Sequence, residues 1–132
     1  INGWRLIPKQ FGGHTDNAWE YLQKFGMLEP FDPSKHTEMD IGLGGPSTEY
    51  IATENAPDGG FWNIPTIWFD KGGKPLKLDN YNSAIMAREY EDKTGKMFPR
   101  FKTPGAGSFA AMNRSAMGGA NQGSLATFSG RK

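Results

Sequence analysis

Two histidine-led tripeptides carry the metal-type spacing in this chain, His14-Thr15-Asp16 and His36-Thr37-Glu38, the second continuing to Asp40. In an extended segment side chains alternate, so His36, Glu38 and Asp40 would share one face and offer the imidazole and carboxylates that hold a divalent ion. There are only two histidines, both in loop-like surroundings, so a surface position or helix cap accounts for them more simply. We expect no metal and no cofactor. Acid–base chemistry would need paired carboxylates. Glu49 and Glu54 flank the first predicted strand, while Asp58 and Asp70 sit in predicted turns, which recruit aspartate for backbone hydrogen bonds whatever the chemistry. No G-x-S-x-G elbow, H-E-x-x-H helix or P-loop occurs. The lack of cysteine removes thiol nucleophiles, disulfides and cysteine metal sites. The expectation is a protein without enzymatic activity.

Binding chemistry has two further candidates. The run FWNIPTIWFDKGGKPL, residues 61–76, concentrates Phe61, Trp62, Trp68 and Phe69. Strand alternation would put Phe61, Asn63, Pro65, Ile67 and Phe69 on one face and Trp62, Ile64, Thr66 and Trp68 on the other. Exposed tryptophans could stack on sugar rings or bases; the plainer reading is a core strand with one face on helices and the other on a partner. The second candidate is charge. Residues 1–92 carry a net −6 and residues 93–132 a net +7, so an acidic body is joined to a basic tail. Lys93, Lys96, Arg100, Lys102, Arg114, Arg131 and Lys132 are spread out, which suits pairing with an acidic protein surface better than base reading, with weak nucleic-acid contact as the alternative.

The elements that must position these residues are short. A chain of 132 residues suits one small domain, and 36% apolar residues with 18 glycines and 9 prolines leave much of it to turns and arms. No apolar run approaches a membrane span, and INGWRLIPKQ lacks the apolar core of a signal peptide, so we expect a soluble chain. The opening INGWRLIPKQFGGH reads as an extended arm. Residues 15–25 read as a helix with Ala18, Trp19, Leu22 and Phe25 inward and Gly26 as its stop. A Pro/Gly-rich linker follows. STEYIATE and FWNIPTIWF predict a hairpin around Pro57-Asp58-Gly59, with KPLKL as a third strand, and Pro65 marks an edge or bulge. Asp79 or Asn80 caps a helix that ends at Gly95, with Ala84, Ile85, Ala87 and the stem of Arg88 inward. Thr103-Pro104 opens a last helix with Ala106, Phe109, Ala110, Asn113 and Met117 at helical period. Gly118-Gly119 ends it.

The motifs "STEYIAT", "NIPTIW", a glycine turn and "SAIMAREYEDKTGKMFPRFKTPGAGSFAAMNRS" follow one another in order. In that order, Ser47 to Ser115 resembles a small domain that recurs in tailed bacteriophages, as short stand-alone proteins and inside large multidomain phage proteins. The resemblance spans about half the chain. It implies a virion-associated or ejection-related component without catalytic residues, and shape-setting roles for Pro65 and Gly95. Met97-Phe98-Pro99-Arg100-Phe101 departs from the pattern, where leucine-glycine and one aromatic are usual, and implies an added contact.

Together these readings predict an α+β fold: a three-stranded antiparallel sheet packed against helices near 80–94 and 104–117, with an N-terminal helix and extended arms. The divisions are residues 1–46 (arm, short helix, linker), 47–117 (core) and 118–132 (flexible basic tail). The expected role is a minor capsid, cement or tail-associated protein, present in several copies of a symmetric virion and docked on other structural proteins. Trp4, Phe11, Trp19, Trp62, Trp68 and Phe128 are the expected anchors, and the arms are expected to order on a partner. The alternative is a glycan- or DNA-binding module of a phage ejection or wall-penetrating assembly.

Overall fold

The structure, a computed structural model, describes residues 18–37, 39–40 and 46–128. Its elements in chain order are α1 (Ala18–Phe25), β1 (Met39–Asp40), β2 (Pro46–Ser47), β3 (Ala52–Asn55), β4 (Phe61–Ile64), β5 (Ile67–Phe69) and β6 (Pro75–Lys77). Then come α2 (Asn80–Thr94), β7 (Lys96–Met97), β8 (Arg100–Phe101), α3 (Pro104–Ala116), a 3₁₀ turn (Gly119–Gln122) and β9 (Thr127–Phe128). Mixed helices and small antiparallel sheets make this an α+β fold.

Pro65 decides the sheet. Lacking an N–H, it cannot extend a ladder, and the predicted long strand divides around it into β4 and β5. β4 pairs with β3 on one side, Ala52 opposite Ile64 and Asn55 opposite Phe61, and with β8 on the other, Trp62 opposite Arg100. β5 instead pairs with β6, Ile67 opposite Lys77. The three-stranded sheet is therefore β3-β4-β8, and the KPLKL segment belongs to a separate hairpin. Past Pro65 the chain is held by Glu49, whose carbonyl accepts from Thr66 N–H at 2.9 Å and Ile67 N–H at 3.2 Å.

The helix ends follow local chemistry. Asp79 Oδ1 accepts from Asn82 N–H at 2.8 Å, and Gly95 closes α2 at φ 79°, a left-handed conformation that glycine adopts without steric cost. Thr103 Oγ1 accepts from Ala106 N–H at 3.2 Å, with Pro104 at the start of α3.

β4 is buried on both faces. Trp62 and Ile64 pack with Leu78, Met86, Ala87, Tyr90 and Phe98 on the α2 side. Asn63 turns the other way: its Nδ2 donates to Gly107 O at 2.8 Å and its Oδ1 accepts from Thr53 Oγ1 at 2.6 Å. Every residue from Trp62 to Phe69 is buried. Within α2 the inner positions are Asn82, Ser83, Met86, Ala87, Tyr90 and Glu91, with Ala84 and Ile85 half-buried, whereas Arg88 is exposed. In α1 the deep residues are Ala18 and Tyr21, while Trp19 and Leu22 are only half-buried.

α3 is turned over relative to expectation. Gly107 is its buried residue, while Ala106, Phe109, Asn113 and Met117 are exposed and Ala110 is half-buried. A Cβ at Gly107 would lie 2.7 Å from Thr53 Cγ2 and 3.1 Å from Asn63 Oδ1. Glycine here lets the helix backbone approach the sheet closely enough for the Asn63 bond. Gly107→Ala should accordingly destabilise the domain. Helix propensity favours alanine by about 1 kcal/mol, but Thr53 is held by its bond to Asn63 and cannot swing away without breaking it, and overpacking costs about 1–3 kcal/mol. A lowered thermal midpoint is expected; a raised one would show that the close approach is not there.

Residues flanking the expected 47–117 core also pack against it. Ala18, Tyr21, Leu28, Leu125 and Ala126 belong to the same cluster as Trp62 and Trp68, and Phe31 and Ala120 pack with Ile67 and Phe69. Residues on both sides of the predicted core thus complete it. Long-range bonds hold them there, Ala18 N–H to Asn82 Oδ1 at 3.0 Å and Glu29 N–H to Phe69 O at 3.0 Å. The arm at 1–14 and residues 129–132 lie outside the described residues.

Candidate functional site

The basic residues divide by position. Arg100 Nη1 and Nη2 donate to the two Glu91 oxygens at 2.8 and 3.0 Å, Nε donates to Asp58 at 3.0 Å, and the guanidinium lies 4.9 Å from the centre of the Trp62 ring. Burial opposes this charge, yet the hydrogen bonds Arg100 donates to Glu91 and Asp58 outweigh it and hold its pKa above the ordinary value. Glu91 also accepts from Phe98 N–H at 2.9 Å. Arg114 spans from α3 to Glu49 with bonds of 2.9 and 2.7 Å and donates to Gly123 O. Arg100 and Arg114, two of the residues expected to meet a partner, therefore tie the fold together. Lys96 lies 5.5 Å from the centre of the Phe128 ring, and Lys102 is exposed. Arg131 and Lys132 lie outside the described residues.

The aromatic candidates divide in the same way. Trp62 and Trp68 are 1% and 0% exposed, so neither offers a face to a glycan, a base or a neighbouring subunit. Trp68 Nε1 donates to Pro65 O at 2.9 Å. Trp19 is half-buried on α1, Phe128 is 67% exposed, and Trp4 and Phe11 lie outside the described residues.

His36 is structural. Its Nδ1 accepts from Asp32 N–H at 2.9 Å, which places the ring hydrogen on Nε2, 3.2 Å from Glu29 Oε2. The ring stacks on Phe69 with centroids 4.1 Å apart. Both nitrogens are occupied. Glu38 and His14-Thr15-Asp16 lie outside the described residues, and among the described residues no group of three metal-ligating side chains occurs. Nearby, a cleft of about 540 Å³ is lined by Glu29, Asp32, Lys35, Tyr90, Lys96 and Ser124 among others. Its charges are of mixed sign, and Lys35 already bonds Glu29 at 3.2 Å. Glu54 accepts from Asn80 Nδ2 at 2.8 Å and Asp70 caps its own turn through Gly72 and Lys74 N–H. Glu49, Glu54, Asp58 and Asp70 thus each hold a different part of the fold.

These bonds give the domain a pH window. The Ser34 hydroxyl and N–H hold Asp32 below the ordinary carboxylate value of 3.8, and the Arg100 bond does the same for Asp58. A lowered folded-state pKa stabilises above the unfolded value and is lost as pH falls through the folded one. At the other end, burial raises the Tyr90 phenol above 10.0, with Glu29 and Asp32 adding to the shift. That contribution is complete below 10.0 and is lost as pH climbs through the raised value. Denaturant midpoints should fall at both extremes, the acid loss beginning near 3.8. A midpoint unchanged from neutral to strongly acid pH would contradict the aspartate bonds.

Several large apolar side chains also face outward. Phe109, Met112 and Met117 are 65%, 70% and 71% exposed and Tyr50 45%. Tyr50, Ile51, Ala111 and Met112 line a shallow cleft of about 200 Å³ together with Thr48, Glu49 and Ser115. Tyr50 sits at φ 46°, a conformation that costs a non-glycine residue about 1–3 kcal/mol, and its carbonyl accepts from Thr66 Oγ1 at 2.6 Å. The periodic residues of α3 were visible in the sequence, but their outward direction was not; Gly107 next to them was the available signal.

Comparison of the chain with protein-family models, with curated proteins and with solved structures finds no match in any of the three. Among the described residues no helix is long and apolar enough to cross a membrane.

Proposed function

We propose that this protein is a structural component of a tailed bacteriophage virion, a minor capsid, cement or tail-associated protein present in several copies. The observation that carries the assembly part is the outer surface of α3 and Tyr50: large apolar side chains stay exposed while the arginines and carboxylates of interest are bonded internally. Exposed apolar groups gathered on one element mark an interaction surface more often than a solvated one. The virion part is supported by the resemblance of residues 47–115. The glycan and DNA alternatives gain nothing from the fold, since Trp62 and Trp68 are buried and Arg100 and Arg114 hold Glu91 and Glu49.

The test is to look for this chain in purified intact particles by mass spectrometry and by density. Copies at symmetry-related sites are expected, with the α3 face covered. Absence from particles that are otherwise complete would overturn the proposal.

A further inference from the structure

The α3 surface has a pattern as well as an area. Gly105, Phe109, Met112 and Ala116 fall at spacings of four, three and four residues, and all are exposed. That spacing is the apolar seam by which one helix packs against another. Along the exposed side of α3, residues 105, 106, 108, 109, 112, 113, 115 and 116 include no charged residue, in a chain that is 22% charged, and the helix's one cation, Arg114, is engaged by Glu49.

We infer that this face pairs with a second copy of itself, α3 against α3 in antiparallel register, a deepening that rests on the assembly function proposed above. A two-fold interface sets each surface against itself, so a charge on it would face its own twin or require a counter-charge elsewhere on the same patch. This face carries neither problem. In antiparallel seams the two alternating positions oppose each other, which puts Phe109 against Met112 of the other copy and Gly105 against Ala116. Large residues meet in the two central layers, and small residues at the ends let the helix backbones close around them. A foreign partner could also cover an apolar face, but it would not call for an uncharged seam matched to itself.

Area sets the strength. A single helix about 20 Å long is a small surface beside the ~800 Å² per partner of a standard stable interface. The pair is thus weak in dilute solution and forms where copies are held close together, as in a particle.

The experiment uses the full chain. Sedimentation velocity from micromolar to millimolar concentration should show the average mass rising from 14.6 kDa toward twice that value. Phe109→Asp and Met112→Asp, both at exposed positions, should stay monomeric with unchanged circular dichroism and thermal midpoint. Register is read by cross-linking, which is clean because the chain has no cysteine. A Gly105→Cys variant mixed with an Ala116→Cys variant should form disulfide dimers faster than either alone; Gly105 has open space around the position a Cβ would take. Faster cross-linking of each variant with itself would overturn the antiparallel register. A mass that stays at the monomer value at every concentration, without cross-links, would overturn the second-copy inference while leaving the virion reading to be decided by whether particles contain the chain.

Discussion

Arg114→Met should destabilise the domain by about 3–5 kcal/mol, the range for breaking a buried pair from one side. Its partner Glu49 has a side chain only 4% exposed and would be left without the guanidinium that faces both its oxygens. The same substitution removes the donor to Gly123 O, loosening the segment that delivers Leu125 and Ala126 to the core. Chemical denaturation of the single variant measures the loss directly. The double variant Glu49→Gln/Arg114→Met should lose clearly less, because the main cost of the single change is the stranded carboxylate. A single variant within about 1 kcal/mol of the parent, outside that range, would mean that the pair contributes little to the fold.

Trp68→Ala should cost about as much, roughly 3–5 kcal/mol from lost transfer energy and the cavity left behind. Against a total stability of about 5–15 kcal/mol for a domain of this kind, that removes a large part of the margin against unfolding. The ring is 0% exposed and meets Tyr90 and Phe98 edge-on at 6.3 and 6.1 Å. Trp68→Phe keeps most of the volume and loses mainly the bond to Pro65 O, so its effect should be smaller. A Trp68→Ala variant with an unchanged melting midpoint would show that the residue is not in the core, and would reopen the aromatic run as a ligand platform.

These two residues show where reading the sequence succeeds and where it stops. The aromatic run is correctly a core element, since so many large apolar side chains in so short a domain have to be buried. Its division at Pro65 follows from a missing N–H, a property of one residue. The helix ends at Asp79, Gly95 and Thr103-Pro104 are legible for the same reason: a cap or a left-handed stop is settled within four residues of chain. The α+β class follows from these local signals in order.

Tertiary structure alone decided the rest. The basic surplus after residue 93 reads as a tail for a partner, but Arg100 and Arg114 meet carboxylates at positions 91 and 49, one of them 65 residues away, and a net charge cannot tell an internal pair from a free cation. Leu28, Phe31, Leu125 and Ala126 sit in stretches too sparsely apolar to look like core and are buried because distant bonds bring them in. A helical period locates an apolar stripe without giving its direction. For α3 the direction came from the absence of a side chain at Gly107, which made room for Asn63 and Thr53 beneath the helix backbone. With the Gly107 side of α3 seated on Asn63 and Thr53, Phe109 on the opposite side of the helix faces out.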